Sequence, residues 1–204
     1  FFLERKYEFI KIILNKQNLG FAKGNNIGLN FSQAEYYVIL NNDTVVTSGW
    51  LTTLYRGINS DNNIGIVGPV TNNIGNEAMV NINYKDLNDM HLEAFKYTSN
   101  NFGKKFKIRT LAFFCVMIKD QVIRDIGYLS EDYGRGFFED DDYCRRVENI
   151  GYSIICLEDV FVHHHLSASF SKLSSKDRNQ LFEENKKIYE KKWGKWIPHR
   201  YRDL

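Results

Sequence analysis

The 204-residue sequence is poor in proline, with two, and in cysteine, with three, and it has no apolar run longer than Leu111 to Ile118. A membrane-spanning helix needs roughly 20 apolar residues and no charged-then-apolar segment opens the chain, so a spanning or secreted reading is disfavoured. Cys115, Cys144 and Cys156 stand 29 and 12 residues apart, an odd number without CxxC spacing, which argues against a disulfide framework or a zinc finger. Reduced thiols and a cytoplasmic location, extending to the inner face of the membrane, are expected. Charge of one sign is also lacking: 27 Lys and Arg oppose 25 Asp and Glu, so no long-range field gathers nucleic acid. With 43% hydrophobic and 25% charged residues, what is there describes a globular chain with one core.

With so little proline, turns fall to the 14 glycines and to Asn and Asp pairs. Phe9 to Leu14 and Tyr36 to Leu40 are compact β-branched and aromatic runs that predict strands, with a short helix between them. Ser48 is a candidate N-cap for a helix carrying Trp50, Leu51, Leu54, Tyr55 and Ile58, and Ile64 to Val67 predicts a third buried strand. Such alternation implies an α/β class with a mainly parallel sheet flanked by helices. Asn72 to Arg109 is polar and Asn-rich, with a helix near Asn88 to Tyr97, and reads as a substrate-facing insertion. Leu111 to Ile118 predicts a central strand, Phe137 to Asn149 a helix, Tyr152 to Leu157 and Val160 to His163 strands, and 176–193 a long charged helix. Residues 1–175 are thus assigned to the main domain and 176–204 to a basic C-terminal helix and tail. Between Lys186 and Arg202 seven Lys and Arg side chains oppose Glu190 and alternate with Trp193, Trp196 and Tyr201. That segment suits either a solvated face with aromatics turned inward or peripheral contact with anionic head groups.

Three clusters could carry chemistry. Asn41-Asn42-Asp43-Thr44 follows the second strand, where open α/β sheets bind ligands, and a carboxylate there can hold a divalent cation or simply cap a turn. Glu139 to Asp142 open a helix after Tyr133-Gly134-Arg135-Gly136. Asp142 can pair with Arg145 or Arg146, while one or two of the others can address a common pocket. His163-His164-His165 end a strand, so His163 and His165 share one face and His164 takes the other. Gly20-Phe21-Ala22-Lys23-Gly24-Asn25-Asn26 is a Gly-bearing loop before a helix, suited to phosphate or sugar hydroxyls but equally an ordinary turn.

Taken in order, these pieces resemble a family 2 glycosyltransferase of the GT-A fold. Asn18 to Asn26 is similar to the N-x-GFA-x-G-N-N stretch, and Asn41 to Asp43 resembles a degenerate DxD motif with Asn41 at its first position. Phe137 to Arg146 is similar to the aromatic-ED-x-D-x-x-x-R helix, and Val162-His163 resembles the late metal-binding His. The resemblance runs from Asn15 to Phe170. It implies inverting transfer from a nucleotide-sugar donor to an acceptor hydroxyl, in surface polysaccharide or glycan synthesis, with a carbohydrate or lipid-linked glycan as acceptor. It implies Asp140 as base with Glu139 beside it, and Mn²⁺ or Mg²⁺ on Asp43 and His163. Gly20, Phe21, Ala22, Asn25, Asn26, Asn41 and Asp43 would line the donor. Only 17 residues precede Asn18, where the family usually has a strand, a helix and a second strand, so the domain is expected to be N-terminally incomplete. A nucleotidyltransferase on a similar fold and a non-catalytic nucleotide-sugar or glycan-binding module are the alternatives.

Overall fold

The computed structural model describes residues 6–165 and 174–202. In chain order these residues form α1 (Phe21–Phe31), β1 (Tyr36–Leu40), β2 (Thr44–Val46), α2 (Trp50–Ile58), β3 (Ile64–Val70), α3 (Leu87–Asn100) and β4 (Lys105–Lys107). There follow β5 (Cys115–Lys119), α4 (Asp120–Ile126), a 3₁₀ turn (Glu131–Tyr133), α5 (Glu139–Asn149), β6 (Ser153–His164) and α6 (Ser175–Trp193).

The sheet runs β1-β5-β3-β6-β2, with β4 added beside β6. β3 is buried throughout and lies at its centre. Side chains alternate across the sheet, as period-2 geometry requires. Ile66, Val116, Ile118, Ile154 and Phe161 face one way, into a core with Leu29, Met90, Tyr143 and Val147. Val67, Met117, Ile155, Val160 and Val162 face the other way, onto Leu54 and Ile58 of α2. Helices therefore cover both faces, and the expected α/β class holds.

The pairing differs from a mainly parallel sheet. Among the described residues only β3 and β6 run parallel, while β1–β5, β3–β5, β4–β6 and β2–β6 are antiparallel. The alternation of strands and helices does not fix direction once β5 enters between β1 and β3. Phe9 to Leu14 takes no place in the sheet, and Phe9 and Leu14 are 82% and 66% exposed; a β-branched run becomes a strand only against a neighbouring strand. Leu111, Phe113 and Phe114 are buried but precede the strand, which begins at Cys115. The two strands read after Tyr152 are one, β6, with a register irregularity opposite Pro69 and Val70.

Capping also departs from expectation. α2 starts after Gly49 in the left-handed region (φ 75°), with no side-chain cap from Ser48. α3 is capped by Asp86, whose carboxylate accepts from Asn88 N and Asp89 N at 2.9 Å each. The three cysteines are buried and unpaired, and burial pushes their thiols up, that of Cys115 to about 12. No helix among the described residues is long and apolar enough to cross a membrane. Residues 166–170, where the family resemblance ends, lie outside the described residues.

Candidate active site

One cavity of about 620 Å³ opens where the ends of β1 and β6 meet the N-terminus of α5. Asn18, Gly20, Phe21, Asn41, Asp43, Glu139, Asp140 and Asp141 line it. Residues of three motifs singled out in the sequence are thereby brought together.

The approach of the Gly20 loop depends on glycine. Gly20 has φ 83° and ψ 175°, a region essentially reserved for glycine, and a Cβ there would stand 2.2 Å from Gly134 O. Three residues expected to touch the donor do other work. Ala22 is 1% exposed and packs into the core, and Asn25 Nδ2 donates to Phe21 O within its own helix. Asn26 braces the segment leading to α5: Nδ2 donates to Leu129 O at 3.0 Å, and Oδ1 accepts from Leu129 N at 3.0 Å. One turn of α1 carries these side chains round the axis and away from the cavity, which the spacing of the motif alone does not show.

Asp43 sits at the turn between β1 and β2, and its carbonyl accepts from His165 N. β2 then pairs with β6 so that Thr44 lies opposite His164. This register brings His164 Nε2 to 3.5 Å from Asp43 Oδ1. His163 does not meet Asp43: its ring turns to the opposite face, where Nδ1 pairs with the Tyr84 hydroxyl and Nε2 lies 3.2 Å from His165 Nδ1. The expected alternation of faces is observed, but the ring that lies beside Asp43 is that of His164. Its ring is stacked on Phe114 at 4.8 Å, and its backbone N donates to Asn72 Oδ1. Burial, and then the neighbouring His165 and His164, hold His163 below its ordinary range.

Two ligand atoms sharing an ion at roughly 2.1 Å stand about 3 Å apart at a right angle, so the Asp43–His164 spacing fits a common cation. Among the described residues no third His, Cys, Asp or Glu joins them. The remaining ligands would be water and substrate phosphate, as is usual for a hard divalent ion.

The acids of α5 divide by environment. Asp142 is fully buried and points away from the cavity; Oδ2 accepts from Arg146 Nε at 2.9 Å, and Oδ1 from Lys192 Nζ at 2.5 Å and Trp193 Nε1 at 2.8 Å. Burial would raise its proton affinity, but these donors outweigh it and hold the carboxyl below its ordinary range. Asp141 is buried and accepts from Thr110 Oγ1 at 3.2 Å. Glu139 is 7% exposed and its Oε2 has no partner. Burial, then the charge of the adjacent acid, raises both Glu139 and Asp140 well above the usual carboxylate range.

α5 begins two residues later than expected because Phe137 and Phe138 both have positive φ, 70° and 74°. This unfavourable backbone is secured from α6, where the buried Asn185 Nδ2 donates to Tyr133 O and Gly136 O at 2.7 Å each. Trp196 and His199, beyond α6, complete the cavity wall. Asn185 and His199 lie outside the motifs, and nothing in their local sequence marks them, while Trp196 is marked only as one aromatic of the basic C-terminal segment. Of the basic C-terminal residues, Lys192 pairs with Asp142 and Arg202 with Glu158, while Lys187, Lys191 and Lys195 remain exposed.

A helix-flanked sheet with this pocket at its strand ends defines a GT-A glycosyltransferase domain. The chain belongs to glycosyl transferase family 2, whose model matches residues 2–127. Among solved structures it is similar to the mannosyltransferase PcManGT from Pyrobaculum calidifontis in complex with GDP-Man and Mn²⁺, at 16% identity and TM-score 0.54, over 78% of this chain and 40% of that one. It is also similar to GalNAc-T7 with UDP, GalNAc and Mn²⁺, at 13% identity and TM-score 0.60, over 80% of this chain and 34% of that one. A third is TarS of S. aureus in complex with UDP-GlcNAc, at 12% identity and TM-score 0.54, over 92% of this chain and 59% of that one. The chain thus spans between about a third and three-fifths of these structures. No curated protein sequence matches it closely enough to be called a relative.

Proposed function

We propose that the chain transfers a sugar from a nucleotide-sugar donor to an acceptor hydroxyl, with inversion at the anomeric carbon. The observation carrying this reading is that one cavity is lined by Asp43 and His164 together with Glu139 and Asp140.

Asp140 accepts the proton of the acceptor hydroxyl. The acceptor oxygen bonds to the anomeric carbon as the bond from that carbon to the diphosphate oxygen breaks, and its electron pair leaves with the nucleotide. One displacement with one base inverts the centre. A carboxylate with raised proton affinity is a stronger base than an exposed one, which suits this step near neutral pH. Glu139 Oε2, buried without a partner, can accept a second hydrogen bond from the acceptor.

Asp43 and His164 would hold Mn²⁺ or Mg²⁺, an imidazole favouring the transition ion. When bound, the cation supplies positive charge against the donor diphosphate. The ligands named for the similar structures, nucleotides or nucleotide-sugars and in two cases Mn²⁺, support this reading. The aromatic wall of Phe137, Phe138, Phe182 and Trp196 supports a carbohydrate acceptor, free or lipid-linked. Exposed Lys187, Lys191 and Lys195 would favour anionic head groups in the lipid-linked case.

The test is thermal stabilisation by UDP, dTDP and GDP, each with and without Mn²⁺, in the wild type and Asp43→Ala. A metal-dependent shift that the substitution removes is expected. No shift with any nucleotide would sink the reading for this chain.

A further inference from the structure

The four acids at the start of α5 are neutralised unequally. Asp142 is matched by Arg146 and Lys192, while among the described residues Glu139 and Asp140 have no ion-pair partner. Asp141 has one, supplied from 58 positions further along the chain: His199 Nε2 lies 3.2 Å from Asp141 Oδ1. Asp141 in turn touches the base, since its backbone N donates to Asp140 Oδ1 at 2.9 Å.

The segment that delivers His199 is pinned along its length. Trp196 N donates to Glu190 Oε1 at 3.0 Å, Arg109 Nη2 to Ile197 O at 2.6 Å, and Arg202 pairs with Glu158 at 2.6 Å. The ring of Trp196 meets that of His199 edge to face at 5.8 Å. Three neighbouring carboxylates, half-buried or buried, cannot all stay ionised without a compensating cation.

We infer that His199 is a positioning residue for Asp140, placing a positive charge behind Asp141 that holds the base in its carboxylate form and turned to the cavity. This rests on Asp140 being the base. The surrounding groups agree. Burial would lower His199, but its bond to Asp141 and the charges of Asp141 and Asp140 outweigh that, with Arg109 opposing. The charge of His199 acts on Asp140 in the opposite sense to burial and to Asp141. Glu139, Asp142, Cys144 and Arg145 from α5, Tyr189 from α6, Arg109, and the cavity-lining Arg135, Asp43 and His164 are further titratable or charged groups nearby.

The experiment reads protonation directly in the full chain, by carbon-detected NMR titration of the Asp140 carboxyl and the His199 ring, with folding checked by thermal unfolding. In the wild type His199 should titrate above the ordinary histidine range; a neutral ring at pH 7 overturns the inference without any variant. In His199→Gln, which can keep the hydrogen bond but not the charge, the Asp140 midpoint should rise by roughly one pH unit, and His199→Lys should bring it back. An unmoved midpoint in folded His199→Gln overturns the inference. Where turnover is measurable, the acid limb of kcat should move with the carboxyl. A moved midpoint with no turnover of any nucleotide-sugar would uphold the pairing and sink the transferase reading, so the two failures are distinct.

Discussion

His164 Nε2 and Asp43 Oδ1 stand 3.5 Å apart because β2 pairs with β6 in a register that sets Thr44 opposite His164. In the proposed cation site, removing either side chain would remove half of the protein's ligands. His164→Ala should weaken Mn²⁺-dependent nucleotide binding by about tenfold or more, whereas His163→Ala should leave it nearly unchanged. A calorimetric Mn²⁺ titration with nucleotide present checks this, and the reverse order would return the metal to His163.

Asp140→Asn keeps the shape of the site and removes the proposed base. Transfer should fall by roughly 10² to 10⁴-fold while nucleotide-induced stabilisation persists. If the variant transfers sugar at the wild-type rate, a different group is the base, or the chain is a binding module.

The raised carboxyls of Glu139 and Asp140 set a pH dependence of known sign. A base must be ionised, so kcat should rise with pH through a midpoint above the ordinary carboxylate range. For stability, a folded-state value above the unfolded one favours folding below the unfolded value, and this contribution is lost as pH rises through the folded one. Asp140→Asn should therefore flatten the decline in stability between mildly acidic and neutral pH, as read from urea midpoints.

Asp142 behaves oppositely. Its folded-state value is depressed, so its contribution is present above the unfolded value and disappears only as pH falls through the folded one. Asp142→Ala strands Lys192 and Arg146 and should cost about 3 kcal/mol in denaturant unfolding at neutral pH. A loss well under 1 kcal/mol would show that α6 is held in place by its aromatic contacts and the Asn185 hydrogen bonds rather than by Asp142.

Gly20→Ala meets two obstacles, the φ of 83° and the carbonyl of Gly134. A loss of about 3 kcal/mol is expected, and nucleotide binding should weaken with it because the loop lines the cavity. Wild-type stability in this variant would mean that the loop relaxes away from Gly134.

Local chemistry was enough to reveal much of this protein. β-branched and aromatic runs marked the strands β1 and β3, apolar spacing marked α2, and the ordered motifs around Gly20, Asp43 and Glu139 marked the pocket lining, because each depends on neighbours within one or two turns of chain. The sequence also settled that two of the three histidines share a face, since alternation along a strand is geometric. Which face meets Asp43 was decided by the pairing of β2 with β6, and residues 43–46 and 162–164 carry no local sign of that register. In the same way Phe9 to Leu14 has the composition of a strand but pairs with no strand of the sheet. Ala22 and Asn26 belong to a motif whose helix turns them from the cavity into structural roles. Strand direction, the neutralisation of Asp142 by Lys192, the clamp from Asn185 and the return of His199 all join residues more than 40 positions apart. Such contacts are properties of packing, and only the tertiary structure decided them.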